Sequence, residues 1–96
     1  MMIAVIAEVV VTAGAGEQFE AVVAELVTQV RENEPDNVLY KLVRSRTNPD
    51  HYRFIELYSD QVALESHGKS DHFRHASRLM APFLAQAPQV GYFDAL

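Results

Sequence analysis

Three segments of this chain have the composition of β-strands and are apolar on both faces. In the first, Met2, Ala4, Ile6 and Val10 share one parity, while Ile3, Val5, Ala7, Val9 and Val11 share the other. In the second, Val38–Arg46, Val38, Tyr40 and Leu42 stand against Leu39 and Val43. In the third, His51–Ser59, Tyr52, Phe54 and Tyr58 stand against Ile55 and Leu57. Successive strand side chains point to opposite sides of a sheet, so a sheet made from these segments has two faces to keep from water.

The segments between them read as helices. Phe19, Val22, Val23, Leu26, Val27 and Val30 recur at helical spacing, with Glu20, Glu25, Gln29 and Arg31 left for solvent. This predicts a helix from about Glu17 to Asn33, opened by the turn Thr12–Gly16 and closed by Glu34-Pro35-Asp36-Asn37, since a proline disfavours helical backbone in the residue before it. Thr47-Asn48-Pro49-Asp50 joins the second and third strands as a hairpin turn. Ser59 or Asp60 can cap a short helix to about Ser66, which would leave His67 beside a glycine-containing turn. Ser70 can cap another helix that buries Phe73, Ala76, Met80 and Phe83 and ends near Pro82. Gln89–Ala95 supplies a last short strand.

The order is β-α-β-β-α-β with its second helix divided, which predicts an α+β, ferredoxin-like antiparallel sheet with helices on one face. All 96 residues are expected to form a single domain. Helices on one side can cover only one face. The apolar character of the other predicts a homodimer, sheet packed against sheet.

Thirteen acidic residues against eight basic ones leave a net charge of −5, which argues against nucleic acid or an anionic membrane as a partner. The absence of cysteine removes disulfides, thiolate nucleophiles and zinc knuckles. The apolar run Met2–Val11 carries Glu8 and falls short of the ~20 residues of a spanning helix, and it lacks a basic leader. A cytoplasmic protein is the expectation.

Chemistry is concentrated in Glu56–Phe73, ELYSDQVALESHGKSDHF, where a strand end meets two helix ends. Glu56 lies among aromatics of its own parity, where burial should raise its pKa unless Arg44 or Arg46 pairs with it. It reads as a general base or substrate anchor, or as a structural acid. His67 sits at a helix C-terminus, either stabilised there by the dipole or facing a cleft as an acid/base group. His72 and His75 share a helix edge. No carboxylate stands at reliable ligand spacing from these histidines, so no metal site is expected. Tyr40, Tyr58 and Tyr92 could stack on a flat ligand or belong to the core. Gly14-Ala15-Gly16 lacks the third glycine and the lysine of a phosphate loop.

Three stretches carry a resemblance: VVVTAGAGEQF at the first turn, ENEPDNVLYKLVRS around the second strand, and above all YRFIELYSDQVALESHGKSDHF. Together they make the chain similar, over nearly its whole length, to the antibiotic biosynthesis monooxygenase family of dimeric α+β barrel proteins. The resemblance implies that fold and a homodimer. It also implies a choice of activities: cofactor-free oxidation of quinols or polycyclic phenols, haem degradation, or isomerisation of a phosphorylated autoinducer-2 product. The functional residues of the haem-degrading branch fall near Ala7, His67 and Ser77, and the chain has no tryptophan, so that branch fits least.

What remains resembles a quinol monooxygenase that needs neither cofactor nor metal. His67 would act as base, His72 and Glu56 would orient it or handle a second proton, and Tyr58, Phe73, Tyr40 and Arg44 would contact the substrate. An isomerase or tautomerase of a small dicarbonyl would use the same acid/base pair, with Arg44, Lys69 or Arg74 for a phosphate. A non-catalytic dimer that binds an aromatic metabolite is the third reading.

Overall fold

The computed structural model describes residues Met1–Leu96. Its elements run β1 (Ile3–Val10), α1 (Gly16–Asn33), β2 (Asn37–Arg44), β3 (His51–Tyr58), α2 (Gln61–Lys69), α3 (Asp71–Met80), a 3-10 turn (Ala81–Phe83) and β4 (Gln89–Asp94). The four strands form one antiparallel sheet in the order β2-β3-β1-β4, the ferredoxin-like arrangement.

Pairing fixes which residues share a face. Val5 lies opposite Glu56 and Tyr92, Ala7 opposite Phe54 and Val90, and Tyr40 opposite Glu56. These side chains face the helices, where Phe19, Val23, Leu26 and Val30 of α1 and Ala76 and Met80 of α3 complete the core. Gly14, at φ 86°, makes the turn after β1 that only glycine takes without strain. Further on, a Cβ on Gly16 would stand 2.9 Å from the Tyr52 hydroxyl. The first turn of α1 can therefore lie against β3, and Tyr52 donates to Glu20 at 2.6 Å.

The other face carries Ile6, Leu39, Val43 and Phe93, between 36% and 51% exposed, with the Arg53–Glu8 ion pair (2.8 Å) among them. Half of the predicted pattern is thus buried within the chain, and the other half forms an open apolar sheet surface.

One boundary moved in a way that matters. The sequence puts a turn at Gly68, but α2 continues through Gly68 to Lys69, and the break falls on Ser70. Ser70 is extended (φ −68°, ψ 148°) and joins both helices: its hydroxyl donates to the His67 carbonyl at 2.7 Å and accepts from the Phe73 amide at 3.2 Å. Asp60 is the N-cap of α2, accepting from the Ala63 amide at 2.9 Å.

Candidate active site

The two short helices stand off from the sheet and leave a cavity of about 850 Å³, within the roughly 300–1,000 Å³ range of small-molecule sites. Its floor is the helix-facing side of the sheet (Val5, Ala7, Tyr40, Phe54 and Glu56), and its roof is Leu64, His67, Phe73, Ser77 and Met80 from α2 and α3. Val90 and Tyr92 of β4 line it too and are well exposed. Most lining residues are apolar, and no lysine or arginine is among them.

His67 is the buried polar group of α2, 3% exposed. Its ring is set among those of Phe73, Tyr40 and Tyr58 at centroid distances of 4.7, 5.1 and 5.5 Å. On one side its Nδ1 meets the Glu34 carboxylate, 2.8 Å from Oε2 and 3.1 Å from Oε1. The other ring nitrogen, Nε2, is buried with no hydrogen-bond partner. The contact with a carboxylate fixes the tautomer: Nδ1 carries the hydrogen and donates it, and Nε2 holds a free lone pair. Burial lowers the His67 pKa from its usual value and outweighs the opposing hydrogen bond and charge of Glu34. The neutral ring is therefore the resting form at neutral pH.

Glu34 is the residue that sequence reasoning passed over. It is the C-cap of α1, just before Pro35, and reads in the sequence only as a helix terminator. In the fold its carboxylate, 10% exposed, accepts from His67 and also from His72 Nε2 at 2.5 Å. These contacts span 33 and 38 residues of sequence, and no local pattern announces them. The one available signal was the arrival of an acid at the end of α1 when both histidines flank the α2–α3 joint. His72 does not line the cavity. It faces a groove between α1 and α3 with Glu25, Asp71 and His75.

Glu56 lies in the cavity floor, 7% exposed, as its parity predicts. Neither Arg44 nor Arg46 pairs with it; the Tyr58 hydroxyl donates to Oε1 at 2.7 Å. Burial raises the Glu56 pKa to about 7, the Tyr58 hydrogen bond works against this, and the charge of Glu34 adds to it. Burial, with Glu56 beside it, likewise pushes the Tyr58 hydroxyl far above its usual value, so Tyr58 remains a donor. Tyr58 is fully buried behind Glu56 and is not part of the cavity wall. Arg44 is not brought to the cavity: it pairs with Glu20 at 3.4 Å and lines a separate polar cleft with His51 and Arg53. Of the residues singled out in the sequence, the fold brings His67, Glu56, Phe73 and Tyr40 to one cavity, with His72 and Tyr58 directly behind two of them.

A neutral imidazole with a free Nε2 and a carboxyl group that holds its proton near neutral pH make a base and an acid in one apolar chamber. The lining has no lysine or arginine to hold a phosphate.

The family profile described as antibiotic biosynthesis monooxygenase matches residues 2–79. A candidate antibiotic biosynthesis monooxygenase from Caulobacter crescentus is 39% identical, with 99% of this chain and 90% of that one covered at a TM-score of 0.96. An antibiotic biosynthesis monooxygenase of known crystal structure is 30% identical, with 98% of each chain covered at a TM-score of 0.89. A conserved protein from Methanosarcina mazei, 22% identical over 97% of this chain and 91% of that one, shares the fold at a TM-score of 0.91. No curated protein sequence matches significantly.

Proposed function

This chain belongs to the antibiotic biosynthesis monooxygenase family, and from that premise we propose that it oxidises a quinol or polycyclic phenol with O2 by acid/base activation of the substrate. The observation that carries this reading is the His67 ring, held by Glu34 at Nδ1 with Nε2 buried and unpartnered in the wall of an apolar cavity. A substrate that parts the surrounding aromatic rings meets a base already set in the right tautomer.

His67 Nε2 takes a proton from the substrate hydroxyl, or from the acidic CH2 of an anthrone, and Glu34 stabilises the imidazolium. The resulting anion is electron-rich enough to pass one electron to O2. The substrate radical and superoxide then combine at a ring carbon to give a peroxide. Glu56, protonated near neutrality, gives its proton to the outer peroxide oxygen. The O–O bond then breaks as the carbon's remaining proton passes to the Glu56 carboxylate, and the imidazolium protonates the departing hydroxide to water. For an anthrone the balance is CH2 plus O2 giving C=O plus H2O, with the substrate as reductant. Tyr40 and Phe73 position the rings, and the chamber excludes water from the anion.

The open sheet face supports a homodimer as the working form, with Ile6, Leu39, Val43 and Phe93 at its centre. A phosphorylated dicarbonyl is the weaker reading, since Arg44 is engaged elsewhere and no cation lines the cavity.

The test is oxygen uptake with freshly reduced naphthoquinols and anthrones, comparing the metal-stripped protein with its His67→Ala variant. Uptake above autoxidation that the variant loses supports the assignment. Uptake that the variant retains removes His67 from the mechanism, and no protein-dependent uptake across the panel removes the oxygenase reading.

A further inference from the structure

No carboxylate stands at ligand spacing from the histidines in the sequence, but the fold brings Glu34 to His67 and His72. Glu34, His67 and His72 each offer one ligand atom, and the three atoms lie within 4.8 Å of one another. They arrive from three different elements: the C-cap of α1, the last turn of α2 and the first turn of α3. Their side chains are only 4–16% exposed, unlike the loose groups of acids common on surfaces. No lysine or arginine pairs with Glu34.

We propose that Glu34, His67 Nδ1 and His72 Nε2 form a binding site for a borderline divalent cation of the Zn(II) class, entered from the groove between α1 and α3. Two imidazole nitrogens and one carboxylate are a donor set that such ions take, with a fourth position left for water. Bonds of about 2.0–2.1 Å in a tetrahedral site set donor separations of about 3.3 Å. The present hydrogen-bonded separations of 2.8 and 2.5 Å must open by less than an ångström, which rotation of three side chains at element ends allows. Binding moves the hydrogens that now bridge to Glu34 onto the far ring nitrogens, so each imidazole stays neutral while its inner nitrogen takes the ion. Glu25 and Asp71 in the groove draw a cation toward His72, and His75 stands there as well.

Occupancy has a consequence for the cavity. Metal on Nδ1 requires the hydrogen of His67 to sit on Nε2, and the base of the proposed oxidation becomes a donor. The ion is therefore an inhibitor of that reaction.

The experiment is titration of the metal-stripped protein with Co(II), read by visible absorption, and with Zn(II), read by Tm and by ¹⁵N NMR of the histidine side chains. Expected are one ion per chain, a ligand-field band of a tetrahedral or five-coordinate site, and NMR shifts at His67 Nδ1 and His72 Nε2. Glu34→Gln and His72→Ala should each weaken binding by at least about 100-fold, while His75→Ala and His51→Ala leave it within about twofold. Circular dichroism of the variants without metal controls for folding. Absence of saturable 1:1 binding overturns the proposal, as does binding that depends on His75 or His51 and survives Glu34→Gln. None of these readouts needs activity. Stoichiometric binding with undiminished oxygen uptake would uphold the site and instead remove His67 as the base.

Discussion

Glu56 should make the protein less stable as pH rises from 5 to 8. In the folded chain its pKa is about 7 against an ordinary 4.5, chiefly because burial disfavours the carboxylate. Below pH 4.5 both folded and unfolded states hold the proton, and Glu56 contributes no penalty. Between 4.5 and 7 the unfolded chain releases it while the folded chain retains it, so the unfolded state gains. Above 7 both are ionised and the penalty levels off. At about 1.4 kcal/mol per pH unit, the full effect is about 3 kcal/mol, of which about 1 kcal/mol is already present at pH 5. Glu56→Gln keeps an acceptor for the Tyr58 hydroxyl but cannot ionise. The difference in stability between wild type and variant isolates the one group from all other titrations. Urea unfolding at pH 5, 6, 7, 8 and 9 should show the variant gaining about 2–3 kcal/mol on the wild type between pH 5 and 8. At about 4–8 °C per kcal/mol for a domain of this size, that is about 10–20 °C in Tm. A difference that stays flat over this range would mean that Glu56 is ionised in the folded state, with the Tyr58 hydrogen bond outweighing burial. The neutral acid of the proposed mechanism would then not exist.

Glu34→Gln removes the negative charge shared by the buried His67 and the half-buried His72 and should cost about 2 kcal/mol in a urea or thermal unfolding assay. By letting the amide donate to His67 Nδ1, the same change moves the hydrogen to Nε2. Any protein-dependent oxygen uptake should fall by about 10³–10⁴-fold, the scale of a reversed imidazole tautomer; unchanged uptake would dismiss the Glu34–His67 pair. Tyr58→Phe deletes the donor that holds the Glu56 pKa down, and difference infrared spectroscopy across pH should find the carboxyl protonated to higher pH than in wild type. Leu39→Glu together with Phe93→Glu places charges on the open sheet face and should give monomers by light scattering, with the cavity intact. Dimers persisting in that variant would locate the interface elsewhere. Gly16→Ala should destabilise by about 1–2 kcal/mol, because its Cβ would press on the Tyr52 hydroxyl.

The fold could be read from the sequence because its signals are local and repetitive. The β-branched run of β1, the aromatic parity of β3, the Phe19–Val30 stripe and the turn at Asn48-Pro49 are each contained in one short window, and parity alone puts Glu56 on one face with Tyr52, Phe54 and Tyr58. The site divides along the same line. His67 and Glu56 were found because each sits at an element end near the other in sequence. Glu34 was not, since its role depends on where the end of α1 comes to rest against a joint more than thirty residues later. Arg44 was misjudged for a related reason: its strand runs past the cavity, and Glu20, one turn into α1, takes its charge first. Tyr58 has the parity of the cavity floor but lies one pleat beyond it, where it serves Glu56 and cannot meet a ligand.

Ser70 has a wider consequence than closing one helix and opening another. Residues five apart on an unbroken helix are turned about 140° from each other around its axis. His67 and His72 could not both reach Glu34 from a continuous rod. The single extended residue between them resets the angle, so the direction of one histidine can be tuned without disturbing the other. A lengthened or shortened joint would swing His72 away while leaving His67 against the sheet. In protein engineering terms, the chamber and its outer shell are separate dials, and Ser70 is the coupling that sets one relative to the other.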